Sequence, residues 1–136
     1  MTVVGVISDT HGLLRPEAVE ALRGSAHILH AGDVGAPEVL ERLRDIAPVS
    51  AVRGNVDHRA WASKLPLHDM VEIEGVSIYL LHILDELDLK PEAAGFGVVV
   101  VVDDQGAGAV KRQQRHWTEC RFQIEERPQR MRYHVA

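Results

Sequence analysis

The sequence predicts an α/β fold, on two observations. Short β-branched runs alternate with amphipathic stretches through the first half, and each of those runs closes on a polar cluster. Strand, helix, strand, helix, strand at this spacing implies parallel units joined by right-handed crossovers. Residues 2–8 (TVVGVIS) form the first predicted strand, followed by Asp9-Thr10-His11-Gly12. Residues 16–23 form a helix, with Pro16 in its first turn, Val19 and Leu22 three apart, and Gly24 as a stop. Residues 26–30 form a second strand, closed by Ala31-Gly32-Asp33. Residues 37–46 form a second helix, with Val39, Leu40, Leu43 and Ile46 on one face. Residues 49–53 form a third strand, closed by Gly54-Asn55-Val56-Asp57.

The pattern then changes. Residues 70–73 and 76–81 read as strands joined through Glu74-Gly75, a hairpin of near-minimal length. Residues 84–94 read as helical, with Pro91 limiting where the helix runs, and residues 97–102 as a buried strand. After Asp103 the periodicity fades; Trp117, Phe122 and Ile124 hint at one or two strands in a polar, basic tail.

At 136 residues the chain has the size of a single domain with a real core. A hydrophobic fraction of 46% and a charged fraction of 26% describe a globular protein. The net charge of −5 argues against a protein that coats nucleic acid. One cysteine, Cys120, excludes an internal disulfide framework and fits a reducing compartment. No run approaches the roughly 18 apolar residues of a membrane span, so the expectation is a soluble cytoplasmic protein.

The chemistry lies after the strands. Asp9 and His11, Asp33, Asn55 and His82 each follow a predicted strand, and in open parallel sheets ligands bind beyond those carboxyl ends. Carboxylate, amide and imidazole together suit Mn²⁺, Fe or Zn²⁺ in paired sites. Two such ions about 3.5–4 Å apart can clamp the attacking and leaving oxygens of a phosphoryl displacement.

Four blocks carry a resemblance: Ser8-Asp9-Thr10-His11-Gly12, His30-Ala31-Gly32-Asp33, Arg53-Gly54-Asn55-Val56-Asp57 and Leu80-Leu81-His82. In this order they resemble the small YfcE-type family of calcineurin-like metallophosphoesterases, and the resemblance runs to about residue 102. It implies a two-sheet α/β/β/α sandwich and a dinuclear centre, with Mn²⁺ foremost and Fe, Zn²⁺ or Ni²⁺ as alternatives. It implies that Asp9 and His11 bind the first ion, that Asp33 bridges, and that Asn55 and His82 bind the second. It further implies hydrolysis of a small phosphoester, a phosphodiester foremost, by metal-bound hydroxide. No catalytic side chain is assigned, and nucleic acid enters only as a phosphodiester substrate.

The departure from the family is equally definite. Its Gly-His-x-His segment is missing: Asp103-Asp104-Gln105-Gly106 stands after the last buried run, so 103–136 is atypical within a single domain spanning 1–136. Asp103 or Asp104 could substitute as an oxygen ligand, and a frame slip near residue 103 would also account for the change. Either way, a second class of function stays open, a catalytically impaired fold serving as a protein-binding scaffold, as in the retromer subunit of this fold.

Plainer readings stand beside the metal one. Asp9 and Asp33 could be turn residues, Asn55 the left-handed residue of a tight turn, and His82 a satisfied core histidine. Asp57 reads as a structural partner and His30 as an orienting neighbour, while His58 is a candidate general acid beside the site. His27 and His68 read as surface or packing residues.

Overall fold

The computed structural model describes residues 2–83, 95, 98–100, 119–124 and 133–135. Its order is β1 (Thr2–Ile7), α1 (Pro16–Leu22), β2 (His27–His30), α2 (Pro37–Arg44), β3 (Val49–Ala51), a 3₁₀ helix (Ala60–Lys64), β4 (His68–Ile73), β5 (Val76–Leu81), β6 (Val98–Val100), β7 (Glu119–Ile124) and β8 (Tyr133–Val135). The strands form two sheets, ordered β3-β2-β1-β7-β8 and β4-β5-β6.

Alternation along the strands explains the layering, because successive side chains point to opposite faces. Val4, Val6, Leu29 and Ala31 face inward and meet Ile78 and Leu80 of the smaller sheet in one buried cluster. Ile7 and Ile28 turn the other way and pack with Ala18 and Leu22 of α1 and with Val39, Leu40 and Leu43 of α2 in a second. The molecule is thus an α/β sandwich of two sheets, with α1 and α2 on the outer face of the larger one. The helix read at 84–94 lies outside the described residues.

Both helices begin with proline at the first turn, where a missing N–H costs nothing, and each carries a glutamate there, Glu17 or Glu38, that suits the helix dipole. The second ends at Arg44, two residues short of expectation; Ile46 N–H turns back to Leu43 O over 3.0 Å and tightens the exit. The hairpin turn is Glu74-Gly75, both with positive φ (51° and 75°), as a two-residue type I′ turn requires. Its first strand begins at His68 and is longer than its apolar residues suggested, because His68 and Asp69 pair with Leu81 and Leu80.

The parallel units hold as expected: β1 pairs parallel with β2, and β2 with β3. The third strand is shorter than read, since Arg53 N–H leaves the ladder to bond Pro66 O over 2.8 Å. The tail contributes two strands to the larger sheet. All six residues of β7 pair antiparallel with β1, from Thr2↔Ile124 to Ile7↔Glu119. β8 had no counterpart in the sequence reading. Among the described residues no helix is long and apolar enough to cross a membrane.

Candidate metal centre

The loops that follow β1 and β2 are bound side by side. The pairing of the strands continues beyond their ends: Asp9 N–H donates to Gly32 O (3.0 Å), His11 N–H to Asp33 O (3.0 Å) and Gly12 N–H to Val34 O (2.7 Å). Asp9, His11 and Asp33 all adopt left-handed backbone, with φ of 55°, 48° and 55°. Each such residue costs about 1–3 kcal/mol and persists where its surroundings hold it, typically at functional sites. The three inter-loop bonds supply that hold.

Their side chains converge. Asp9, Asp33 and His82 each offer a ligand atom, and these atoms lie within 4.8 Å of one another. Asp33 Oδ2 stands between two imidazoles, 3.4 Å from His82 Nε2 and 4.0 Å from His11 Nε2. His11 Nε2 lies 3.7 Å from Asp9 Oδ1, and Asn55 Oδ1 lies 3.1 Å from His82 Nε2. All five residues read as ligands therefore form one group. His82 and Asp33 are its buried floor, and His11 and Asn55 its exposed rim.

The electrostatics fit a cation. His82 Nδ1–H donates to Ala31 O over 2.7 Å, which leaves Nε2 to face the oxygens of Asp33 and Asn55. A lone pair on Nε2 among those oxygens is repulsive unless a positive charge lies between them. Without an ion, a proton takes that place. Burial alone would lower the His82 pKa, but bonds to Asp33 and the Ala31 carbonyl and the charges of Asp33 and Asp9 raise it to about 9. For Asp33 burial is likewise outweighed, by His82, the Val56 N–H and His11, and its pKa falls. Burial raises that of Asp9 despite its bond with Ser8, with the Asp33 charge adding to the rise. The donor set suits a divalent ion of borderline hardness.

A second layer fixes this group. Buried His30 accepts Gly32 N–H at Nδ1 (3.2 Å), so its Nε2–H donates to Thr10 Oγ1 (3.0 Å), whose hydroxyl donates to Val34 O (2.9 Å). Asp57, also buried, accepts three backbone N–H groups, from Val34 (3.1 Å), Gly35 (2.9 Å) and Gly54 (2.9 Å). It thereby ties the Asp33 loop to the Asn55 loop. Gly54 lies directly against the Asp33 backbone nitrogen and Oδ1, and a Cβ there has no room.

The sequence reading of Asp57 and His30 as supporting residues matches these contacts. Asn55 is not among the residues with left-handed backbone, so the turn-only reading of it is set aside. His27 bonds Ser50 Oγ over 2.9 Å, and His68 stacks on Tyr79 at 5.6 Å, both packing roles. His58 lies on the wall of a cleft beside Asn55. Thr10 was missed; a hydroxyl between two ligand positions was its one signal. Asp103 and Asp104 lie outside the described residues.

Comparison with known proteins gives the family of the chain. A probable metallophosphoesterase of Methanothermobacter thermautotrophicus is 44% identical over 85 residues, covering 59% of this chain and 49% of that protein. Another, of Methanocaldococcus jannaschii, is 39% identical over 85 residues, covering 59% of this chain and 42% of its own length. The matched part spans about half the length of these curated relatives, or less. Among solved structures, an archaeal phosphodiesterase superposes with TM-score 0.75 at 18% identity, over 99% of this chain and 100% of that one. Vps29 of Chaetomium thermophilum gives 0.67 at 17%, over 92% and 83%. At such identities these two show the shared fold alone. The model of the calcineurin-like phosphoesterase superfamily domain matches residues 1–105, and the chain belongs to that superfamily.

Proposed function

We propose that the chain is a divalent-metal-dependent phosphoesterase, acting foremost on a phosphodiester. Asp9, His11, Asp33, Asn55 and His82 would hold two ions, with Asp33 shared between them and Mn²⁺ the first choice over Fe, Zn²⁺ or Ni²⁺. The observation that carries this reading is Asp33 Oδ2 standing between His82 Nε2 and His11 Nε2, at 3.4 and 4.0 Å. A carboxylate so placed can serve a ligand set on either side. Ions bound there supply Lewis-acid charge for the phosphoryl oxygens and an activated water. The chain's own part is to hold that charge in fixed geometry: the Ala31 carbonyl orients His82, Val56 N–H orients Asp33 through Oδ1, and Asp57 sets the distance between the two loops. Overall, water oxygen bonds to phosphorus and one P–O ester bond breaks, leaving a phosphomonoester and an alcohol that takes up the proton. The single cysteine supports a cytoplasmic site of action.

The absence of a Gly-His-x-His segment favours a second reading, a protein-binding scaffold with this fold. The experiment is elemental analysis after Mn²⁺ loading, paired with hydrolysis of bis-p-nitrophenyl phosphate and with Asp33→Ala as control. Two ions per chain and turnover lost in the variant support the enzyme. One ion or none, without turnover, would overturn it in favour of the scaffold.

A further inference from the structure

A cleft of about 340 Å³ opens beside the ligand group, and Asn55 belongs to both. That volume is within the roughly 300–1,000 Å³ typical of small-ligand sites. Its walls carry Arg53, His58, Arg59, Ser63 and Leu67. Among the described residues neither Arg53 nor Arg59 forms an ion pair. Among the described residues the one acidic side chain on the wall is Asp57, and both of its oxygens already accept backbone N–H donors. The Ser63 hydroxyl is spent on Ala60 O at 2.6 Å. Beside the Asn55 amide and the His58 ring, the cleft therefore carries two guanidinium forks without an acidic partner, in a chain whose net charge is −5. A fork of this kind binds phosphate oxygens in pairs.

We propose that this cleft is a subsite for a second phosphate, carried on an ester substituent of the substrate, with Arg53 and Arg59 as its specificity-determining residues. The inference rests on the phosphoesterase reading for the bond broken, while the anion site itself stands on the cleft. It narrows the substrate to phosphodiesters of phosphorylated alcohols.

Two measurements test it. The first titrates inorganic phosphate into the EDTA-treated chain by calorimetry, with Arg53→Gln, Arg59→Gln and, outside the cleft lining, Arg15→Gln. One saturable site is expected, weakened about tenfold by either cleft substitution, the scale of a lost charge-assisted bond, and unchanged by Arg15→Gln. No saturable binding, or binding indifferent to Arg59→Gln, overturns the subsite; Arg59 is exposed, so its loss leaves the fold intact. The second compares the Mn²⁺-loaded chain on the 5′-p-nitrophenyl esters of thymidine 5′-phosphate and thymidine 3′,5′-bisphosphate. A KM about tenfold lower for the second, erased by Arg59→Gln, is expected; equal KM values overturn it. Phosphate binding without any turnover would sink the hydrolase reading and leave the anion site standing. Turnover with no Arg-dependent phosphate binding would do the reverse.

Discussion

His82 Nδ1–H donates to the backbone carbonyl of Ala31 over 2.7 Å, which aims Nε2 at Asp33 and Asn55. A backbone acceptor cannot be mutated away or rotate, so the Nδ1 proton stays in place and an arriving ion displaces only the proton on Nε2. In the Zn²⁺-loaded chain, long-range ¹⁵N NMR should read His82 as protonated at Nδ1. An Nε2–H signal would contradict the orientation. His82→Ala should weaken Mn²⁺ binding by about 100-fold or more and cost about 2–4 kcal/mol of stability in EDTA, since it opens a cavity and orphans the Ala31 carbonyl.

Asp9 presents the opposite case, a residue the metal-free fold would rather lack. Its backbone is left-handed (φ 55°), its carboxylate faces that of Asp33, and burial raises its pKa. Asparagine tolerates that backbone better than aspartate's ionised form tolerates the neighbour. Asp9→Asn should raise the melting temperature in EDTA by about 2–5 °C, on a gain below about 1 kcal/mol. It should also abolish the further rise that Mn²⁺ gives the parent chain. A lower melting temperature in EDTA would show that Asp9 stabilises the empty fold.

Much of this site was legible because the sheet does the converging. Strands rich in Val and Ile announce themselves, and Asp9, His11, Asp33 and His82 stand where those strands stop. What could not be read were the exact limits, set by partners distant in sequence. Arg53 leaves β3 because Pro66 offers its carbonyl, and His68 joins β4 because Leu81 lies opposite. The alternation of Cys120, Phe122 and Ile124 with Glu119, Arg121 and Gln123 is a period-two strand signal, weakened by the polar company around it. Its pairing with β1 depends on the whole sheet, which no local window contains.

Gly54 is a sharper test of the loop geometry. A Cβ there meets the Asp33 backbone nitrogen and Oδ1, so Gly54→Ala must displace the central carboxylate. The expected cost is about 1–3 kcal/mol by urea unfolding, with Mn²⁺ stoichiometry reduced. Gly75→Asn is the control: nothing lies within 4 Å of its Cβ position, and Asn accepts its φ of 75°. Equal losses in the two variants would refute the contact argument.

His30 sets an acid limit on the fold. Burial lowers its pKa to about 4, against the smaller upward pull of Asp57 and Asp33, while His82 and His11 add to the lowering. Its Nδ1 is occupied by Gly32 N–H, so a second proton breaks that bond. The folded pKa lies below the unfolded value of 6.5, so the unfolded chain binds the extra proton first. Stability from this residue is complete above pH 6.5 and is lost as pH falls toward 4, by roughly 3 kcal/mol in all. The difference in urea midpoint between the parent and His30→Gln should therefore shrink from pH 7 to pH 4.5. A constant difference would remove His30 from the acid response.

Asp57 ties the two ligand loops through Val34, Gly35 and Gly54, and its two variants separate packing from hydrogen bonding. Asp57→Asn keeps one oxygen acceptor and nearly the same volume, whereas its amide N–H₂ confronts donors where an oxygen stood. Asp57→Ala loses every bond and leaves three buried or half-buried N–H groups without their carboxylate. The alanine variant should lose about 3–5 kcal/mol, since each bond to a charged acceptor contributes about 1.5–3 kcal/mol and water replaces part of that. The asparagine variant should fall between it and the parent. The residue hydrogen-bonds none of the five ligand side chains, so Asp57→Asn acts on Mn²⁺ affinity through the backbone of Val34 and Gly54 and through the lost negative charge. Both residues flank ligands, so calorimetry should find Mn²⁺ bound about tenfold more weakly. Undiminished affinity in a folded Asp57→Asn chain would show that the loops keep their spacing without the tie.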